Sequence, residues 1–190
     1  LFYPRRNPAN RTARRYARKL HKLRRCSMII QYHTEEKLEL GGVTVTALVS
    51  EYVEGERLSA FLRRFPGGRL RPFEATHLLY RLARGLDEIH RCNEYHGDLH
   101  ADNVIVERFG LSFDLKFIDF FHWDAPRAEN RHDDICDLVR LYYDALGGRK
   151  TYRRHPPPVK YICAGLKRGL ILSRFRTAGH LCRHLEGLSW

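Results

Sequence analysis

The chain has 190 residues, 43% hydrophobic and 29% charged, which reads as globular rather than disordered and predicts about one domain. Its formal charge of +12 is uneven: residues 1–34 hold ten basic side chains and no acid, residues 35–148 hold 14 basic and 21 acidic, and residues 149–190 hold ten basic and one acidic. Apolar runs are strand-sized, too short to span a bilayer, and five cysteines without a C-x-x-C pair exclude a zinc cage or a disulfide framework.

Asn10 is expected to cap a helix whose apolar face is Ala13, Tyr16, Ala17, Leu20 and Leu23. Its other face, Arg11, Arg14, Arg15, Arg18, Lys19 and Lys22, reads as solvated. Residues 27–32 and 43–52 are rich in branched and aromatic side chains and predict two strands either side of Gly41-Gly42. Residues 58–64 predict a short helix ended by Pro66-Gly67-Gly68, and Pro72 opens a longer one carrying Leu78, Leu79, Leu82, Leu86 and Ile89. A loop over 92–103 leads to strands at 104–106 and 115–118 around a turn at Gly110. Ile135, Leu138, Val139, Tyr142 and Leu146 predict another helix, stopped by Gly147-Gly148. The three prolines 156–158 predict a turn before two short basic helices. The pattern is an α+β fold in two lobes.

The chemistry concentrates in His96-Gly97-Asp98-Leu99-His100-Ala101-Asp102-Asn103 and Phe117-Ile118-Asp119-Phe120. Phosphoryl transfer needs metal ions on the phosphates and a carboxylate near the attacking hydroxyl. Mg²⁺ prefers one or two carboxylates plus phosphate oxygens. Asp98, Asn103 five residues later and Asp119 at a strand end supply such groups. His180 and His184 stand at i, i+4, a zinc spacing, but no third ligand accompanies them and they read as a surface pair.

These two motifs resemble the protein-kinase-like superfamily. The first resembles the kinase catalytic loop, and its H-G-D-L-H form is similar to aminoglycoside phosphotransferases, choline-kinase-like enzymes, lipopolysaccharide core-sugar kinases and bacterial atypical kinases. Ile118-Asp119-Phe120 resembles the metal-binding strand end, and Leu48-Val49-Ser50-Glu51-Tyr52-Val53-Glu54-Gly55 the hinge between lobes. The resemblance implies a two-lobed kinase-like fold: a partial strand lobe at 1–50, a hinge at 51–57 and a helical lobe at 58–190, with the catalytic loop at 96–103 and the metal-binding strand end at 117–120. It implies Asp98, Asn103 and Asp119 as catalytic, with Asn103 and Asp119 holding Mg²⁺ and Asp98 orienting the acceptor hydroxyl. It implies ATP contacts from the backbone of Glu51 and Val53, from Ile105 under the adenine and from Glu56 near the ribose. His96 is implied as a support beneath the loop, and Asp134, opening the following helix, as a clamp on its backbone.

Departures from the pattern shape the expectation. Gly97 replaces an arginine that senses a phosphorylated activation segment, His100 stands where many kinases place a lysine, and Phe121 replaces a glycine. Only 14 residues separate Asp119 from Asp134, with Asp124 and Glu129 as weak candidates for facing an acceptor. No glycine-rich loop or phosphate lysine is present; Leu1-Phe2-Tyr3 reads as the tail of the lysine-bearing strand, and the helix of residues 10–25 lacks the acid that would pair with that lysine. The chain alone is therefore expected to bind ATP poorly. The expected activity is transfer from Mg-ATP to a hydroxyl on protein Ser/Thr or on a sugar-like molecule; the competing reading is a pseudokinase scaffold binding partners without turnover. The basic ends suit an anionic membrane surface or an acidic acceptor, nucleic acid is not expected, and oligomeric state is not readable. Reduced thiols and a cytoplasmic setting, with peripheral contact at the inner membrane face, complete the expectation.

Overall fold

The computed structural model describes residues 1–110, 112–120 and 125–188, so Phe121 and Asp124 lie outside the described residues. Helix α1 (Arg11–Lys22) precedes an antiparallel pair, β1 (Tyr32–Leu40) and β2 (Val43–Ser50). Leu40 faces Val43 across Gly41-Gly42, whose φ values of +59° and +75° suit a tight hairpin turn. Leu1-Phe2-Tyr3 runs antiparallel to β2: the Phe2 amide donates to the Thr46 carbonyl at 2.7 Å and the Thr46 amide returns a bond at 3.0 Å.

The second part is built around α3 (Pro72–Arg91), α4 (Ala128–Ala145) and α7 (Ala178–Glu186). Leu78, Leu79, Leu82, Leu86 and Ile89 of α3 meet Ile135, Leu138, Val139 and Tyr142 of α4 and Leu181 and Leu185 of α7 in one buried core. A three-stranded antiparallel sheet packs against α3 through its third strand: β3 (Glu56–Arg57), β4 (Val104–Phe109) and β5 (Ser112–Phe117). Helices α2 (Leu58–Arg63), α5 (Pro157–Cys163) and α6 (Arg168–Arg174) complete it. The five cysteines are free thiols, with Cys26 Sγ 3.8 Å from Cys92 Sγ. No helix among the described residues is long and apolar enough to cross a membrane.

Several local expectations need correction. The first strand is not residues 27–32 but β1, which begins at Tyr32. Met28 and Ile29 are apolar because they are buried where the two parts meet: the Phe117 amide donates to the Met28 carbonyl at 2.7 Å. β1 is mostly exposed and carries no apolar alternation, so periodicity could not reveal it. Asn10 sits at the start of α1 with φ +58° and makes no side-chain cap; Asn7 does so instead, its Oδ1 accepting from the Thr12 and Ala13 amides at 3.1 Å each. Pro157 opens α5 rather than a bare turn, giving three terminal helices. His184 is not a plain surface side chain, since its ring packs against Tyr161 and Phe175 at centroid distances of 5.1 and 5.2 Å.

Gly55 joins the segment after β2 to β3. Its φ is +112°, and a Cβ there would stand 2.5 Å from the Val106 carbonyl oxygen. Backbone strain and a backbone clash add in the same direction, so Gly55→Ala is expected to cost about 3 kcal/mol. Urea denaturation measures it; an unchanged midpoint would show that this close approach is dispensable.

Candidate active site

The register of β4 and β5 assembles the site. Val104 opposes Phe117, so the residue before β4 and the residue after β5 are neighbours, and the Ile118 amide donates to the Asn103 carbonyl at 3.0 Å. Asp119 follows at once, with φ +60°, a left-handed conformation that aspartate tolerates better than most residues but still at a cost of about 1–3 kcal/mol. Such strain persists only where the surroundings enforce it.

Asp98 reaches the same place along the loop. The Asn103 side-chain nitrogen donates to the Asp98 carbonyl at 2.9 Å and lies 3.3 Å from its Oδ2. His100 Nε2 stands 3.5 Å from Asp98 Oδ2, and its Nδ1 accepts from the Asp102 amide at 3.2 Å. Asp102 itself bonds Ser59. The Asp98 side chain remains 55% exposed, open to an incoming group, whereas Asn103 is buried.

Beneath the loop, Asp134 is fully buried. One of its carboxylate oxygens accepts from the Gly97 amide at 2.7 Å; the other accepts from the His96 amide at 2.8 Å and meets His90 Nε2 at 2.9 Å. Asp134 therefore touches the loop backbone, but it does not open its helix: α4 begins at Ala128, and Asp134 lies in its second turn. Gly97 has φ +88°, which favours the glycine found there.

His96 is fully buried, with its ring 4.5 Å from that of Phe120 and 5.6 Å from that of Phe117, centroid to centroid. Burial pushes its pKa down to about 4, with Asp134 opposing. The neutral ring accepts from the Asp98 amide at Nδ1, 3.2 Å away. On unfolding, His96 regains its ordinary value of 6.5. Between those values the unfolded chain binds the extra proton, so stability is full above about pH 6.5 and falls by up to about 3 kcal/mol as pH drops to 4. Urea titrations across this window are expected to show a shallower pH slope for His96→Gln than for the parent, and equal slopes would refute the assignment.

Two side chains of α1 enter the site: Tyr16, expected on the apolar face, and Lys19, expected on the solvated one. Lys19 is only 7% exposed, not solvated, and its ammonium lies 4.4 Å from the Tyr95 ring centroid and 5.6 Å from that of Phe120. Burial lowers its pKa to about 8 against the pull of Glu94 and Asp134. Tyr16 hydrogen-bonds the Phe120 backbone near Asp119, and burial raises its phenol to about 12. In a helix without acids, the signal for Lys19 was its position three residues after Tyr16 and beside Leu20 of the apolar face.

The expected nucleotide contacts lie along the joint between the two sheets. The Glu51 amide donates to the Gln31 carbonyl at 2.8 Å, and its carboxylate accepts from the Gln31 amide and Lys116 Nζ at 3.1 Å each. Val53 is half-buried just beyond. Ile105 lies on β4 between Arg57 and Lys116. Glu56 pairs with Arg64. A cavity of 190 Å³, lined by Phe2, Tyr16, Leu48, Ser50, Ile118 and Asp119 among others, leads from β2 to the metal-binding strand end expected from the sequence.

No three His, Cys, Asp or Glu side chains among the described residues gather as a metal cluster. The donor set nevertheless suits magnesium in partnership with phosphates. With its nitrogen turned to Asp98, Asn103 has its amide oxygen left as a ligand, and Asp119 adds a carboxylate. Two oxygen donors, with phosphate and water completing the shell, match the way this ion is usually held.

Residues 10–121 match the protein tyrosine and serine/threonine kinase family. The chain belongs to that family. It is similar to cyclin-dependent kinase 14 of Xenopus tropicalis, 33% identical over 149 residues, which is 74% of this chain and 31% of that protein. It is equally similar to the proteins of that name from Mus musculus and Homo sapiens, 33% over 149 residues, with 28% of each covered. The chain thus spans about a third of the length of the curated relatives it matches. Membership supports phosphotransferase chemistry and a kinase fold with a reduced strand part. These relatives are protein kinases, and nothing in the likeness favours a sugar-like acceptor, a bacterial-type grouping or a scaffold without turnover.

Proposed function

We propose that this kinase chain moves the γ-phosphoryl group of ATP to a serine or threonine hydroxyl of a protein. The observation that carries the reading is the convergence of Asp98, Asn103 and the Asp119 strand end through the Asn103 side chain and the Ile118–Asn103 backbone bond. Asp98 is the general base that orients the acceptor hydroxyl and takes its proton on a carboxylate oxygen. Asn103, through its amide oxygen, and Asp119 hold Mg²⁺ on the phosphates. The ion, when bound, neutralises charge on the transferring group. Glu51 and Val53 meet the adenine edge through their backbone, and Ile105 lies beneath it. Glu56, already engaged by Arg64, reaches the ribose only by exchanging that partner. His96 and Asp134 hold the loop so that Asp98 keeps its geometry while the acceptor binds.

The test incubates the protein with γ-labelled ATP, Mg²⁺ and a serine-rich protein acceptor, followed by phosphoamino-acid analysis. Mg²⁺-dependent label on serine or threonine is expected. Label no higher than the Asp98→Asn background would reject the proposal.

A further inference from the structure

A cavity of 570 Å³ opens beside His90, where the C-terminal turn of α3 meets the first turns of α4 and α7. Its wall includes Asp87, Arg91, Arg131, Arg176, Thr177 and Arg183. The charges do not cancel. Asp87 pairs with Arg91 at 2.7 Å, and its carboxylate lies so close to α7 that a Cβ on Gly179 would stand 2.8 Å from Oδ1. Among the described residues Arg131 has a neutral partner, donating to Asn93 Oδ1 at 3.0 Å. Arg176 and Arg183 are exposed and have no acidic partner among the described residues. Among the described residues, three guanidinium groups thus border one cleft with no carboxylate paired to them, the cleft's own Asp87 being taken by Arg91.

Guanidinium forks bind phosphoryl oxygens in pairs, and a phosphorylated side chain brings about −1.5 to −2 of charge at neutral pH. We infer that this cleft binds a phosphoserine or phosphothreonine carried by a peptide, with Arg176 and Arg183 as its main ligands and Arg131 behind them. A peptide rather than a free ion is favoured by size, since the cavity is several times larger than a phosphate ion fills. Three positive charges also exceed what one phosphoryl group neutralises, leaving room for a flanking acid. The cleft is separate from the Asp98 site, and the inference stands whether or not the chain has turnover.

Fluorescence anisotropy tests it with labelled alanine-rich hexapeptides, one carrying a single phosphoserine and one carrying serine. The phosphopeptide is expected to bind at least roughly tenfold more tightly, the scale of a charge-assisted hydrogen bond. Arg176→Ala/Arg183→Ala is expected to remove that preference, and Arg176→Gln/Arg183→Gln to do the same with the side-chain bulk kept. Arg5→Ala/Arg6→Ala, an equal charge change on exposed residues elsewhere, is expected to leave it intact. An equal loss in that control would reduce the effect to general attraction and overturn the inference. Inorganic phosphate competing as strongly as the phosphopeptide would assign the cleft to the free ion and also overturn it.

Discussion

Asp98→Asn is expected to lower turnover by about 10²–10⁴ while leaving Mg-ATP affinity within a factor of about two. The substitution keeps the shape of the side chain and its contact with Asn103 but removes the basic oxygen. The Asp98 side chain is half exposed, so water screens the loss of its charge and the folded state is expected to be retained. Asp119→Asn is expected to differ: it weakens the metal site, so both nucleotide affinity and turnover fall. Steady-state kinetics and nucleotide titration on the two variants separate the roles. Equal effects on affinity from both changes would mean that Asp98 and Asp119 are not divided into base and ligand.

Asp134→Ala is expected to be among the most damaging single changes to stability, at about 3–5 kcal/mol. Two effects compete. Removing a buried carboxylate relieves its desolvation, but the His96 and Gly97 amides then lose their acceptor inside the core, and His90 loses its partner. Orphaned buried donors cost more than the relief returns, because water cannot reach them. Asp134→Asn is expected to lose less than the alanine variant, since one oxygen still accepts. Urea denaturation at neutral pH distinguishes the outcomes, and a loss below about 1 kcal/mol for the alanine variant would remove Asp134 from its structural role.

Much of this arrangement is legible in the residues because it is local. The apolar positions of α3 and α4 recur at helical spacing, and the register of the short β4–β5 hairpin sets Asn103 beside Ile118, the residue before Asp119. What stays hidden depends on contacts across the chain. Lys19 looks like one more member of a basic stripe, and only the packing of α1 against Tyr95 and Phe120 buries it. Asp134 resembles a helix-opening cap, yet its work is done from the second turn because α4 starts earlier than its apolar stripe. Met28 and Ile29 mimic a strand since burial, not pairing, selected them, while β1 has too little apolar face to be seen. Asn7 and Asn10 are equally good caps by type, and the backbone chooses Asn7.

The most direct measurement is a crystal structure of the chain with Mg²⁺ and a non-hydrolysable ATP analogue. A metal ion ligated by both the Asn103 amide oxygen and the Asp119 carboxylate is expected, with the Asp98 carboxylate facing the terminal phosphate. A nucleotide bound with its metal on neither residue would contradict that expectation.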